Sequence, residues 1–220
     1  MINIAIDGPS GSGKSTVANV LAEKLGYIHV DTGALYRAVG LFVKRSGIAP
    51  DDESAVVSLL SDIDLRLVFE DGEQKVMLNG ENVNGLIRTA EISAFASRVS
   101  AIPAVRSFLL DLQREIARTN NIIMDGRDIG TVILPDATVK FFMTASDEAR
   151  AERRFAELAA KGEKTTPEEV RAAMEKRDRQ DSTRAVAPAV PAEDAIFIDN
   201  SGPFDQTLEK ILSIIKEKTK

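Results

Sequence analysis

The chain has 220 residues, of which 44 % are hydrophobic and 28 % charged, as expected for a globular protein with one sizeable core or a core with a small added lobe. Its net charge of −6, with no long run of Lys or Arg, argues against general binding to nucleic acids or anionic membranes but allows a local cationic pocket. The absence of Cys excludes disulfides, thiolate zinc sites and cysteine nucleophiles.

The N-terminal segment does not have the pattern of a signal peptide. No basic stretch precedes its first apolar run, and Asp7 and Gly8 interrupt that run. No apolar stretch of the sequence approaches the length needed to cross a bilayer. We therefore expect a cytoplasmic enzyme, and we expect a monomer because no apolar stripe is left for a partner.

The first predicted elements are a buried strand at residues 2–6 and a helix at residues 14–25, joined by a glycine-rich loop. That loop has the spacing G-x-x-x-x-G-K-[ST], which lets several backbone N–H groups face one anion at the start of a helix. Lys14 can reach the outer phosphates of a nucleoside triphosphate, and the Ser15 hydroxyl can bind its Mg²⁺. The residues expected to hold this ligand are Gly8, Pro9, Ser10, Gly11, Ser12, Gly13, Lys14, Ser15 and Thr16.

A second buried strand is predicted at residues 27–30, followed by the segment D-T-G-A-L-Y-R. Loops at the carboxyl ends of parallel strands form the ligand crevice of an α/β sheet. Arg37, one turn into the next helix, could therefore contact a phosphate through two N–H groups, the alternative being a surface ion pair. His29, the single histidine, lies in the strand itself, and we assign it a structural role.

Residues 63–84 interrupt the strand–helix rhythm because their apolar and polar residues alternate. Turn signals at Asp71–Gly72 and at Asn79–Gly80 predict a small antiparallel meander that is separate from the main sheet. This insert is either a decorative lobe or a lid that moves over a second substrate.

A helix at 103–119 and a buried strand at 122–125 lead into the segment D-G-R-D-I-G-T. Asp125 is a carboxylate at a strand end beside the phosphate loop, where it could hold Mg²⁺ directly or through water. Arg127 and Asp128 would add a cation and a hydrogen-bond acceptor to the same crevice.

Arginines are concentrated after the fourth predicted strand, residues 138–143, with seven of the 16 between positions 150 and 184. Such side chains can form ion pairs on a helix surface, or they can neutralise the charge on a phosphoryl group during its transfer. Helical spacing places the arginines at 150–154 on one face of a predicted helix. It places Arg177, Asp181 and Arg184 on one face of a second helix. We assign the phosphate-facing role to Arg150, Arg153, Arg154, Arg177 and Arg184, and surface ion pairing to Arg171 and Arg179.

The C-terminal part is predicted to contain an extended, linker-like segment at 185–191, a strand at 195–198 and a helix at about 204–218. Alternation of five buried strands with helices predicts a parallel α/β sheet. A phosphate loop in such a sheet occurs in switch GTPases, in ATPases and in small-molecule kinases. The chain lacks an N-K-x-D tetrapeptide, and its paired Arg and Asp motifs favour an enzyme that binds a second phosphate-bearing ligand.

Four motifs together closely resemble the bacterial cytidylate kinase family: G-P-S-G-S-G-K-S-T at 8–16, D-T-G-A-L-Y-R at 31–37, D-G-R-D-I-G-T at 125–131 and R-A-V-A-P at 184–188. The resemblance covers essentially the whole chain. It implies transfer of the γ-phosphoryl group of Mg-ATP to CMP or dCMP.

The same resemblance implies a phosphate-loop kinase fold with a five-stranded parallel sheet flanked by helices, a small antiparallel β insert and a short lid. Carried over, the core comprises residues 1–35, 95–148 and 165–220, the monophosphate-binding insert residues 36–94, and the lid residues 149–164.

Matching positions imply roles in the transfer step. Arg37, Arg127 and Arg184 match the clamp on the acceptor phosphate, and the lid arginines would cover the phosphates. The residues to which this reading gives a catalytic role are Lys14, Arg127, Arg184, Arg150 and Arg154, with Ser15 and Asp125 on the metal.

Other matching positions imply contacts with the nucleoside. An Asp–Arg pair suits cytosine, whose edge offers an amino donor beside carbonyl and ring acceptors. Thr32 matches a hydroxyl near the base, Ser97, Arg106 and Asp128 the set that reads cytosine, and Arg177 and Asp181 the pair that contacts the ribose.

Two alternatives remain open from the sequence. One is a kinase for another acceptor, such as UMP, GMP or shikimate. The other is a switch or scaffold that binds ATP without transferring its phosphate. An acceptor panel distinguishes the first, and acceptor-stimulated release of ADP distinguishes the second.

Overall fold

A computed structural model describes residues 1–70, 73–160 and 162–219. None of the helices in these ranges is long and apolar enough to cross a membrane. In chain order the elements are β1 (Asn3–Asp7), α1 (Lys14–Leu25), β2 (Ile28–Asp31), α2 (Thr32–Arg45), α3 (Glu53–Leu59), β3 (Leu65–Glu70), β4 (Glu73–Leu78), β5 (Glu81–Asn82), α4 (Ala90–Val99), α5 (Pro103–Thr119), β6 (Ile122–Gly126), β7 (Val139–Thr144), α6 (Asp147–Ala160), α7 (Pro167–Thr183), β8 (Ile196–Asp199) and α8 (Phe204–Lys218).

The main sheet has five strands, all parallel, in the order β2-β6-β1-β7-β8. The five strands predicted from apolar runs are confirmed to within one or two residues. Their register brings the predicted site loops together, because Asp31 of β2 pairs with Asp125 of β6, and Asp7 of β1 pairs with Gly126. Three loops therefore leave the sheet side by side at its carboxyl edge.

Helices cover both faces of the central strands, which explains why β1 and β6 are buried along nearly their whole length rather than at alternate residues. On one face, α1 and α8 pack against β1, β7 and β8 around Leu21, Phe141 and Ile211. On the other face, α5 and a π-helical turn at Ile129–Ile133 pack against β2 and β6. The central strands can contribute to binding only at their ends.

The alternating segment forms a separate antiparallel sheet, in the order β3-β4-β5, as predicted. Asn79 and Gly80 both have positive φ values, 48° and 83°, which is the geometry of the tight hairpin turn expected there. The predicted turn at Asp71–Gly72 lies outside the described residues. One face of the sheet packs with α2 and α4 in a core of its own.

The Gln74 side chain bonds this insert to the end of β2. The Asp31 N–H donates to Gln74 Oε1 at 3.0 Å, and Gln74 Nε2 donates to the Asp31 carbonyl at 3.2 Å. The Gln74 side-chain amide thus bonds both backbone groups of Asp31, as the backbone of a neighbouring strand would. These two bonds hold the insert beside the carboxyl edge of the main sheet.

The prediction of an extended linker at 185–191 is wrong. Ala187 has φ 51°, in the left-handed region, which is an uncommon conformation for a residue other than glycine and especially for one that precedes a proline. Its carbonyl accepts Arg184 Nε at 2.6 Å, and the Ala189 N–H donates to the Asp181 carbonyl at 2.9 Å. These bonds fold the segment back onto the end of α7, a constraint that local composition does not contain.

We expect the substitution Phe141→Ala to lower the free energy of unfolding by about 3–5 kcal/mol, because it opens a cavity in the core between β7 and its covering helices. Phe141 is 1 % exposed, whereas Phe197, on the adjacent strand, is 60 % exposed. Phe197→Ala is therefore the matched control and should cost less than about 1 kcal/mol. Urea unfolding of both variants measures the difference, and equal losses would contradict this account of the core.

Candidate active site

A cleft of about 520 Å³ opens at the carboxyl edge of the main sheet. The phosphate loop, the start of α2, the loop after β6 and the helices α6 and α7 all contribute to its walls. Among the described residues, eight arginines and Lys14 line it, against five carboxylates. The protein as a whole has a negative net charge, yet the lining of this cleft has more cations than carboxylates.

The phosphate loop lies between β1 and α1, and its lysine is folded over the loop itself. Lys14 Nζ donates to the Pro9 carbonyl at 2.7 Å and to Ser12 Oγ at 3.3 Å. Burial, and then the positive charge of Arg127, hold the pKa of Lys14 well below its usual value. An anion in the loop would offset both effects and favour the charged form of this lysine.

Asp125, at the end of β6, joins the loop to β2. One carboxylate oxygen accepts the Ser15 hydroxyl at 2.8 Å, and the other contacts His29 Nε2 at 2.7 Å. Burial lowers the pKa of His29, but the bond to Asp125 and its charge outweigh burial and raise it overall. The structural role expected for His29 stays a prediction, since its partner Asp125 is a proposed metal ligand.

Ser15 and Asp125 fit the Mg²⁺ of a nucleoside triphosphate. Their hydroxyl and carboxylate oxygens lie together at the start of α1, where phosphates would bind. Mg²⁺ is commonly held by one or two such oxygens and completes its shell with substrate phosphates and water. The Ser15 hydroxyl and the Asp125 carboxylate are oxygen ligands of this kind.

The start of α2 is organised around Asp31. Its carboxylate caps the helix by accepting the Ala34 N–H at 3.1 Å, and it pairs with Arg37 at 2.7 Å and Arg88 at 3.1 Å. Burial raises the pKa of Asp31, but these two guanidinium groups bring it below its usual value. Thr32, the next residue, donates its hydroxyl to the Asp125 carbonyl at 2.8 Å.

A second carboxylate, Asp128, holds two arginines. Arg106 pairs with its Oδ2, and Arg184 Nη2 donates to its Oδ1 at 3.3 Å. The Arg106 guanidinium also lies 5.4 Å from the centre of the Tyr36 ring, within range of a cation–π interaction. Burial raises the pKa of Tyr36 to about 12, so its phenol stays neutral and can donate a hydrogen bond.

Helix α7 adds Arg177 and Asp181. Arg127 Nε donates to Asp181 Oδ2 at 3.1 Å, and Arg177 lies beside the same carboxylate at 3.8 Å. Burial, and next the charge of Arg127, lower the pKa of Arg177 to about 10. Within the described ranges, the Nε atoms of Arg37 and Arg177 are buried without a hydrogen-bond partner. Crowded cations with unused donors are what an anion-binding site requires.

The structure separates the three arginines that the sequence places on one face of α6. Arg153 and Arg154 line the cleft. Arg150 lies behind the phosphate loop and donates to the Ser10 carbonyl at 2.9 Å. Surface ion pairing is found for Arg171, which pairs with Glu175.

Ser97 also lies outside the cleft wall. Its hydroxyl donates to Gln180 Oε1 at 3.3 Å, and its carbonyl accepts Gln180 Nε2 at 3.2 Å. The pair borders a smaller apolar cavity of about 260 Å³ between α4 and α7.

The remaining predicted side chains come together in the cleft wall, although they are distant in sequence. These are Lys14, Ser15, Thr16, Thr32, Arg37, Arg106, Asp125, Arg127, Asp128, Arg154, Arg177, Asp181 and Arg184, together with Ser10, Gly11 and Gly13 of the loop. Gly8, Pro9 and Ser12 shape the loop without lining the cleft.

Sequence reasoning missed Asp31, Tyr36 and Arg88 as site residues. Asp31 and Tyr36 lie within the segment D-T-G-A-L-Y-R, and an Asp before a predicted helix is a recognisable cap signal. No local pattern marks Arg88, which reaches the cleft only because the insert folds back beside Asp31.

Asp7 connects the phosphate loop to the segment after β6. Its carboxylate accepts the N–H groups of Ile129 at 2.8 Å and Gly130 at 2.7 Å, at the start of the π-helical turn. Burial raises the pKa of Asp7 to about 6, despite these two bonds and the charge of Lys14. The loop that carries Arg127 and Asp128 is thus fixed directly to the end of β1.

Comparison with known proteins identifies the family of this chain. The family model described as cytidylate kinase matches residues 4–217. The chain belongs to the cytidylate kinase family. It is therefore a phosphate-transferring enzyme, as the resemblance implied.

Relatives match over nearly their whole length. The chain is 49 % identical over 216 residues to a cytidylate kinase of Geobacter sulfurreducens, covering 98 % of this chain and 93 % of that protein. It is 48 % identical over 220 residues to a cytidylate kinase of Caldicellulosiruptor bescii, covering 100 % and 97 %.

More distant solved structures share the fold alone. A shikimate kinase from Bacteroides thetaiotaomicron aligns with a TM-score of 0.51 at 12 % identity, covering 98 % of both chains. An uncharacterised protein from Eubacterium ventriosum aligns with a TM-score of 0.54 at 14 % identity, covering 98 % of this chain and 99 % of that one.

The raised pKa of Asp7 predicts a pH-dependent contribution to stability. A carboxyl with a higher pKa in the folded state stabilises the protein below pH 4, and this contribution is lost as the pH rises through about 6. Compared with Asp7→Asn, the wild-type free energy of unfolding should therefore fall by about 3 kcal/mol between roughly pH 4 and 7. Urea unfolding of both proteins across this range measures the difference, and a pH-independent difference would contradict the raised pKa.

Proposed function

We propose that this kinase transfers the γ-phosphoryl group of Mg-ATP to CMP or dCMP and releases ADP with CDP or dCDP. The observation that carries the proposal is the excess of cations in the cleft, where eight arginines and a lysine of the described part of the chain lie next to a phosphate loop. Two substrates that both carry phosphates would supply the missing negative charge. Membership of the cytidylate kinase family supports cytosine as the acceptor base.

On the donor side, the backbone N–H groups of the phosphate loop and Lys14 would hold the β- and γ-phosphates. Arg153 and Arg154 line the cleft from the lid helix and would approach the same phosphates. Ser15 and Asp125 would hold Mg²⁺, which when bound offsets part of the charge on the phosphate oxygens.

On the acceptor side, three arginines would clamp the phosphate of the monophosphate. Each already has a carboxylate partner: Arg37 has Asp31, Arg127 has Asp181 and Arg184 has Asp128. Such pairs fix the planar guanidinium groups before the substrate arrives, so less conformational entropy is lost on binding.

The nucleoside would lie over the Arg106–Asp128 pair, which offers a donor and an acceptor to the cytosine edge. Arg177 and Asp181 would contact the ribose. Thr32 remains a candidate near the base, but its hydroxyl donates to the Asp125 carbonyl, so a contact with the substrate would replace that bond. Ser97, which lies outside the cleft wall and donates to Gln180, would reach the base only if this wall moved.

In the transfer step, a phosphate oxygen of the acceptor attacks the γ-phosphorus while the bond to the β–γ bridging oxygen breaks and ADP leaves. The acceptor oxygen is already anionic, so no general base is needed, and catalysis depends on positioning and on neutralising charge. Closure of the insert, residues 36–94, and of the lid, residues 149–164, over the core would exclude water, which is a competing acceptor. A monomeric state and a cytoplasmic location remain predictions.

An acceptor panel tests the assignment of the base. We expect CMP and dCMP to stimulate production of ADP from Mg-ATP strongly, and UMP, AMP, GMP and shikimate to do so weakly. Stimulation by another acceptor alone would overturn the cytosine assignment and leave the kinase mechanism intact. If none of these acceptors stimulated ADP production, the transferase proposal itself would be wrong.

Replacing the loop lysine tests the mechanism. Lys14→Ala should lower kcat by about 10²–10³-fold, because the transferring phosphoryl group loses a positioned cation. Lys24→Ala, at the exposed end of the same helix, is the matched control and should keep wild-type turnover. Steady-state assays at saturating substrates compare the two, and wild-type turnover of Lys14→Ala would rule out this role.

A further inference from the structure

We propose that Asp178, together with Arg150, is a positioning residue for the phosphate loop. This ion pair between α7 and α6 holds the backbone of Ser10 and so sets the shape of the loop before a nucleotide binds. The inference rests on the proposed function, since it concerns the donor phosphates. It adds Asp178 to the site and gives Arg150, which the sequence predicts to face the phosphates, a role that acts through the loop.

The geometry uses both backbone polar groups of one loop residue. The Ser10 N–H donates to Asp178 Oδ1 at 3.2 Å, and the Ser10 carbonyl accepts Arg150 Nη1 at 2.9 Å. The same Nη1 atom pairs with Asp178 Oδ2. The carboxylate, the guanidinium and the Ser10 backbone therefore form one hydrogen-bonded ring across three segments of the chain.

This ring is largely shielded from water. The Arg150 side chain is 9 % exposed and that of Asp178 is 21 % exposed, whereas Asp147, the other partner of Arg150, is 57 % exposed. Hydrogen bonds to charged groups are stronger than neutral ones, and loss of one partner leaves the other charge poorly compensated. Asp178 is therefore the partner whose removal should disturb the loop.

Packing of the next loop residue supports the same conclusion independently. Gly11 has φ 72°, and a Cβ at this position would lie 2.8 Å from the Met174 side chain and 3.0 Å from the Arg150 carbonyl oxygen. The tip of the loop thus lies directly against both α6 and α7. A shift of either helix would move the backbone amides that are expected to face the donor phosphates.

Asp178 lies on the same helix as two residues of the proposed acceptor site. Its neighbour Arg177 lines the cleft, as does Asp181 one turn later. One helix therefore carries groups of the acceptor site and the carboxylate that holds the donor loop. Removing the Asp178 charge should weaken binding of a nucleoside diphosphate or triphosphate and leave binding of the monophosphate acceptor largely unchanged.

The test uses Asp178→Ala, Asp178→Asn and, as the matched control, Asp147→Asn, which removes the exposed partner of Arg150. Calorimetry or a fluorescent ADP analogue gives the Kd for Mg-ADP, and the Kd for CMP is measured separately for each protein. We expect Asp178→Ala to weaken ADP binding by about tenfold or more, with CMP binding and the control both within about twofold of wild type. Asp178→Asn keeps the acceptor oxygen for the Ser10 N–H and should lose less affinity.

The ratio of the two affinities separates positioning from simple stability. Equal weakening of ADP and CMP binding, or wild-type ADP binding by both Asp178 variants, would overturn the inference. If Asp178→Ala does not fold, the isosteric Asp178→Asn carries the test. Failure of the wild-type protein to bind ADP would overturn the proposed function itself, and is thereby distinguished from failure of this inference.

Discussion

The cleft depends on buried carboxylates that hold arginines close to one another. Asp31, Asp128 and Asp181 each contact at least two guanidinium groups, and each side chain is less than a tenth exposed. Without them the arginines would repel one another and turn toward solvent. With them the site still carries an excess of positive charge, which the phosphates of two substrates would reduce. Stability of the free enzyme and affinity for substrates are therefore linked through the same ion pairs.

Two of those carboxylates, Asp31 and Asp128, reach the cleft because the parallel strands β2 and β6 end side by side, whereas Asp181 reaches it from α7. The strands β1, β2 and β6 end at neighbouring register positions, so their loops emerge at the same level. Asp7 and Gln74 then fasten two of the flanking segments, the π-helical turn and the antiparallel insert, to this edge. Burial of both sheet faces by helices leaves this edge as the place where polar side chains of the central strands can collect.

Helices α6 and α7 both contact the phosphate loop. Arg150 of α6 lies behind the phosphate loop, whereas Arg153 and Arg154, one helical turn later, line the cleft. Residues at similar helical spacing can thus serve different purposes, since a long side chain reaches whatever anion or carbonyl lies nearest. Local spacing gives the face of a helix, and the neighbouring segments decide which partner each side chain on that face finds.

The sequence alone determined the five strands, the antiparallel insert, the phosphate loop and most of the residues that line the cleft. The strands, the insert and the loop follow from patterns within a few residues, such as continuous apolar runs, turn pairs and the spacing of G-x-x-x-x-G-K-S. Cleft residues such as Thr32 and Arg106 are indicated only by the resemblance to cytidylate kinases. Only the tertiary structure placed Arg88 in the cleft, paired Ser97 with Gln180 and put Ala187 in a left-handed conformation. The first two depend on partners more than 50 positions away in the sequence, since Arg88 is 57 positions from Asp31 and Gln180 is 83 positions from Ser97. The third depends on the folding of segment 185–191 back onto the end of α7. Such contacts arise from packing of whole elements, which no local pattern in the sequence records.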